Sequence, residues 1–190
     1  MTPEDKFTAI YYEHHHQVYA YAVGRVGRDL ADDVAGETFL VAWRKLAEVP
    51  PTPLPWLLGV ARNVVRQRYH AEIRQAALAA ELRTWVDEAY LDVAEGVTEK
   101  AATLAALAQL GEEDRELLTL VAWHGLRPRD AAKVVGCSTA AYAVRLHRAR
   151  KRLQQALAQP PLPQRRSAKS VAGSVASSVV SSVVSKEFSR

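Results

Sequence analysis

The chain has 190 residues and a single cysteine, Cys137. No internal disulfide can therefore hold a small loop-rich scaffold together, and the fold must rest on an apolar core suited to a reducing compartment. No run approaches the roughly 18 apolar residues that a membrane span needs. The start, MTPEDKFTAIYYEHHHQ, is charged and lacks the apolar centre of a secretory signal. A soluble, cytoplasmic protein without membrane insertion is expected. The alternation of a β-sheet is missing as well. No Ser/His/Asp grouping or glycine-rich phosphate loop occurs in a suitable context, so the residues point to no enzyme, no cofactor and no metal.

What is present is helix-forming and unevenly charged. The net charge of +4 is modest, and it matters because it is clustered. Between Ala140 and Ala158 stand Arg145, His147, Arg148, Arg150, Lys151 and Arg152, with no acidic residue. Tyr142, Leu146, Ala149, Leu153 and Leu157 recur at helical spacing and give this stretch one buried face. A half-buried helix with a cationic exposed side suits a polyanion, most commonly nucleic acid.

The pattern divides the chain into four segments: 1–80, a linker over 81–98, a second helical unit over 99–158, and a tail over 159–190. The expected fold is all-α, with two small helical domains and a disordered tail. In the first segment, Phe7, Ile10, Tyr11, Val18, Tyr21 and Ala22 form a stripe that Gly24 and Gly27 should loosen. Asp29 is a plausible N-cap for a second helix carrying Leu30, Val34, Phe39, Ala42, Trp43 and Leu46. Pro50, Pro51, Pro53 and Pro55 break the chain, and Pro55 suits the first turn of a third helix extending to about residue 82. Acids dominate the linker. The second unit should hold helices near 99–109, 112–123, 128–135 and 139–157, separated by glycines. The tail, with SVAGSVASSVVSSVVS, is low in complexity, and its Val and Ser residues are only middling helix formers.

LRPRDAAKVVGCSTAAYAVRLHRAR has the grammar of a helix-turn-helix. Small Ala131 and Ala132 permit close helix approach, Gly136 can take the left-handed turn conformation, and Ser138 or Thr139 can cap the following helix. That helix would enter the major groove, with Arg145 and Arg148 reaching phosphates or bases.

This stretch resembles region 4 of bacterial sigma factors of the extracytoplasmic-function (group IV) type, where E-I-A…G-x-S-x-G-T-V-K-S-R-L-x-R-A-R is common. Asp130, Ala131, Ala132, Gly136, Ser138, Arg145, Leu146, Arg148, Ala149 and Arg150 match. The resemblance implies contact with the −35 promoter element by Arg129, Thr139, Ala140, Ala141, Ala143, Val144, Arg145 and Arg148. Ala140, Ala141, Ala143 and Val144 depart from the family's Gly-Thr and Lys-Ser. They offer methyl groups that can touch thymine methyls but cannot read guanine bidentately.

DLADDVAGETFLVAWRKL is similar to region 2.2 of the same family, A-E-D-x-x-Q-E-x-F, through Ala31, Asp32, Asp33, Glu37 and Phe39. Helical spacing puts Asp33, Glu37, Leu40 and Arg44 on one side. The resemblance implies that this side binds core RNA polymerase; taken alone, it reads as a solvated charged face. Gly36 stands where glutamine is usual, which puts that contact in question. PWLLGVARNVVRQRYH is similar to regions 2.3 and 2.4, W-L-x-x-I-A-x-N, through Trp56, Leu57, Ala61 and Asn63. The resemblance implies that Trp56, Arg62, Asn63, Arg66 and Gln67 hold the melted −10 element. Arginine suits phosphates, and Asn and Gln suit base edges. Trp56 fits a core position equally well.

His14, His15 and His16 point about 100° apart on a helix and cannot converge on one ion. Cys137 reads as a small turn-filling residue. The function expected is that of a sigma factor partnered by core polymerase, promoter DNA and, as the family suggests, an anti-sigma factor. A stand-alone helix-turn-helix regulator and a sigma-like protein with altered polymerase binding are the alternatives.

Overall fold

The computed structural model describes residues 2–70, 76, 79–82, 84–85 and 97–158. Most of the expected linker and the whole of the expected tail lie outside these residues. The described residues form α-helices and turns, without a strand. The elements are α1 (Pro3–Val26), α2 (Arg28–Arg44), α3 (Pro53–Arg68), α4 (Val97–Gln109), α5 (Glu112–Ala122), α6 (Pro128–Val135) and α7 (Thr139–Ala158). Contacts group them into two units, one of 1–81 with 126–143, the other of 82–125 with the chain from Val144 onward.

In the first unit α1, α2 and α3 pack on one another, and α6 packs on α3. α1 starts at a reciprocal capping box, in which Thr2 Oγ1 accepts from Asp5 N and Asp5 Oδ2 accepts from Thr2 N. It runs through Gly24 and ends only at Gly27, whose φ of 77° also opens α2. The N-cap of α2 is therefore Gly27, not Asp29. Asp29 lies in the first turn, where its charge faces the positive end of the helix dipole. Val18, Ala22, Val26, Val34, Phe39, Leu57, Ala61 and Val65 fill the core. Lys6 Nζ donates to Leu46 O at 3.0 Å and ties the start of α1 to the carbonyl end beyond α2.

The third helix stops at Arg68, well short of residue 82, and Tyr69 is extended. Its buried stripe of Leu57, Ala61, Val64 and Val65 has no apolar successor, because Arg68 takes the next position and pairs with Glu37. Trp43, expected in the core, remains 42% exposed and packs one edge against Phe7 at 5.1 Å.

In the second unit, Arg115 on α5 holds the carboxyl end of α4. Its Nε donates to Leu107 O at 3.0 Å and its Nη2 to Leu110 O at 2.6 Å. These bonds satisfy carbonyls that a helix end leaves without intrahelical partners. Ala101 and Leu104 are buried, with Trp85 and Trp123 packed against them.

Candidate polymerase and nucleic-acid interfaces

Three helix faces carry the residues singled out above. On α2, Asp33, Leu40 and Arg44 are exposed, with Leu40 at 42%. Steps of four, three and four keep these residues and Glu37 on one side. Glu37 is half-buried because its Oε2 accepts from Arg68 Nη2 at 2.8 Å, a bond between α2 and α3. Burial and the nearby Asp33 carboxylate raise the pKa of Tyr69, which Arg68 partly offsets. The end of α3 thus lies electrostatically against the acidic side of α2. Gly36 is exposed on the same helix, and a Cβ there would meet nothing within 4 Å. Trp43, beside Leu40 and Arg44 in sequence, adds an exposed aromatic surface. Its apolar periodicity points it inward; the structure packs it edge-on against Phe7, which itself meets Phe39, and leaves it partly open to solvent.

On α3, Asn63, Arg66 and Gln67 are exposed, while Arg62 and Trp56 are half-buried. Trp56 and Asn63 are seven residues apart and so lie on one side, with Arg66 and Gln67 beside them. The structure thus joins Trp56 to the exposed polar face without placing it in the deep core. The side available to a strand combines an aromatic ring, two amide groups and a guanidinium. That set suits stacking, base edges and phosphate.

The helix-turn-helix is built as its residues require. Ala131 and Ala132 are buried, and Gly136 is left-handed with φ 73° and ψ 41°. Its N–H donates to Lys133 O, and that of Cys137 donates to Ala132 O, closing α6. Ser138 Oγ accepts from Ala141 N at 3.1 Å, so Ser138 is the cap and Thr139 the first helical residue. Arg129 is exposed near the start of α6.

On α7, Tyr142, Leu146 and Ala149 are buried. Thr139, Ala140, Ala141, Ala143, Val144, His147, Arg148 and Lys151 are exposed. Ala140, Val144, His147, Arg148 and Lys151 fall on one side, at the i, i+4, i+7, i+8 and i+11 spacing of a helix face. His147 and Lys151 belong to this face although the family motif did not single them out; the helical period alone could have found them. Two arginines point elsewhere. Arg145 Nη2 donates to Glu113 Oε2 at 3.0 Å, and Arg152 Nη1 donates to both carboxylate oxygens of Asp114 at 2.8 and 2.6 Å. Both acids lie in the first turn of α5.

The three histidines of α1 diverge. His14 is buried with Nδ1 3.1 Å from Gln17 Oε1, His15 stacks on Phe39, and His16 is exposed. No helix of the described residues is long and apolar enough to cross a membrane.

A capped helix-turn-helix with a cationic outer face defines a DNA-binding protein. Comparison with known proteins defines it further. Residues 10–75 match the model of sigma-70 region 2, and residues 100–153 that of sigma-70 region 4. The ECF RNA polymerase sigma factor EcfG of Rhodopseudomonas palustris is 32% identical over 147 residues, covering 73% of this chain and 77% of EcfG. The probable RNA polymerase sigma factor RfaY of Xanthomonas campestris pv. campestris is 34% identical over 144 residues, 70% of this chain. The chain spans 36% of the length of RfaY. The solved structure of CnrH in complex with the cytosolic domain of CnrY superposes with a TM-score of 0.55 at 28% identity, covering 80% of this chain and 87% of CnrH.

The chain belongs to the sigma-70 family, as an RNA polymerase sigma factor of the ECF class. Its function is accordingly in transcription initiation, as a DNA-binding initiation factor.

Proposed function

We propose that the chain binds core RNA polymerase and directs it to promoters through two separate DNA contacts. Residues 1–80 serve as the domain for polymerase and the −10 element, 99–158 as the domain for the −35 element, and 81–98 as the linker between them. Asp33, Glu37, Leu40 and Arg44 meet the polymerase. Trp56, Arg62, Asn63, Arg66 and Gln67 hold the melted −10 strand. Arg129, Thr139, Ala140, Ala141, Ala143, Val144 and Arg148 meet the −35 duplex, and Arg145 joins them when it leaves Glu113.

The observation that carries this reading is the pairing, in one chain, of an exposed Asn63/Arg66/Gln67 face beside half-buried Trp56 with a capped helix-turn-helix. A single-strand reader and a duplex reader together suit a factor that must both find and open a promoter. The chain itself makes and breaks no bonds, because polymerase forms the phosphodiester links, and it works in the cytoplasm. CnrH is in complex with the cytosolic domain of CnrY in its solved structure; an anti-sigma partner is proposed for this chain. The tail, 159–190, is proposed to affect regulation rather than promoter recognition.

Transcription by purified core enzyme plus the full chain, from promoters selected out of genomic DNA, tests the proposal. Stimulated, promoter-specific transcripts are expected. Absence of both core binding and stimulation overturns it.

A further inference from the structure

The outward face of α7 is apolar where it begins and cationic where it continues. Ala140, Ala141 and Ala143 are exposed and carry only methyl groups. Val144 is 51% exposed, one of the few large apolar side chains left open to solvent among the described residues. Two of the polar groups that could read a base here are already committed, and Thr139, five positions before Val144, lies on another side of the helix. Ser138 Oγ is occupied by the Ala141 N–H, and Arg145 is drawn aside by Glu113. One turn further on, His147, Arg148 and Lys151 share the side of Val144.

An exposed branched apolar side chain at the front of a groove-binding helix has one good partner on the floor of the major groove, the C5-methyl of thymine. The other groups there are hydrogen-bond donors and acceptors, which valine would desolvate without pairing. Resting on the −35 reading above, we propose that Val144 is the specificity-determining residue of α7 and selects a thymine through its methyl group. Arg148 and Lys151 then add phosphate affinity that carries little sequence information.

The test uses holoenzyme assembled from core polymerase and the full chain. It first selects duplexes from a library randomised over both promoter elements. The enriched −35 sequence is then resynthesised with each thymine in turn replaced by deoxyuridine, which removes the methyl and nothing else. One uridine position should weaken binding about threefold to fourfold, the effect of exposing about one buried methyl. In the Val144→Ala holoenzyme that sensitivity should vanish, while the remaining thymines stay indifferent in both proteins. Val144→Gln should shift the preferred base at that position from thymine toward adenine, which glutamine reads bidentately. Enrichment of a −35 sequence with no uridine effect, or a uridine effect undiminished in Val144→Ala, overturns the role of Val144 alone. Failure of the library to enrich any −35 sequence overturns the underlying duplex reading as well.

Discussion

Arg145 Nη2 donates to Glu113 Oε2 at 3.0 Å, so the first arginine of the cationic run is pinned to the opening turn of α5. Glu113 is largely exposed, and such a pair contributes less than about 1 kcal/mol to stability. Its larger effect is to withdraw one positive charge from the outer face of α7. Glu113→Ala should release Arg145, tighten binding to duplex promoter DNA at low salt, and steepen the dependence of log K on log salt by about one. The double variant Glu113→Ala, Arg145→Ala should lose the gain. An equal gain in the double variant assigns the effect to the lost carboxylate instead.

Arg148 should behave differently from Val144. It is exposed on the same face and has no partner among the described residues. Arg148→Ala should weaken holoenzyme binding by a similar factor on every promoter variant and lower the salt slope by about one. Competition binding across a panel of −35 variants measures this. A change in rank order among them would make Arg148 a base reader.

Gly36 offers a stability prediction. A Cβ at this exposed helical position meets nothing within 4 Å. Gly36→Ala should therefore raise unfolding stability by about 0.5–1 kcal/mol, through lost backbone freedom in the unfolded chain. Denaturant unfolding of the full chain reads it directly. Unchanged or lower stability would mean that α2 needs glycine for a reason other than space. Affinity for core polymerase, measured on Gly36→Gln, reports separately on whether the family's usual residue strengthens that contact.

His124 gives the chain a pH dependence. Burial pushes its pKa from the usual 6.5 down to about 4. The unfolded chain therefore binds a proton that the folded chain refuses between these values, and stability falls as pH drops through that window. The slope approaches about 1.4 kcal/mol per pH unit. His124→Gln should flatten the stability profile between pH 6 and 5 relative to the parent. Parallel profiles would show that carboxylates alone account for the acid lability.

Helical periodicity alone places α4–α7 close to where they stand. Turn chemistry does the same for the Gly136–Ser138 junction, because a left-handed glycine followed by a capping serine is a strictly local signal. The end of α3 is not legible in the sequence: Tyr69 is extended, and Arg68 in the last turn pairs with Glu37, thirty-one residues away. The exposure of Trp43 is hidden for the same kind of reason: its ring contact is with Phe7 on another helix, thirty-six residues away. Among the candidate site residues, exposure follows from helical phase for Asp33, Asn63, Arg66 and Arg148. Partnership does not, and neither Glu37 nor Arg145 announces its ion pair in the sequence.

Promoter-specific transcription is the most direct measurement of the central claim. Core polymerase is assayed with the parent chain, with Asp33→Lys, Glu37→Lys, and with Arg148→Ala, from one selected promoter. The parent should produce a discrete transcript. The charge-reversed chain should lose both core binding and transcript, and Arg148→Ala should retain core binding while losing transcript in a salt-sensitive way. A parent chain that binds core yet yields no promoter-specific transcript, or a charge-reversed chain that transcribes like the parent, would contradict the account.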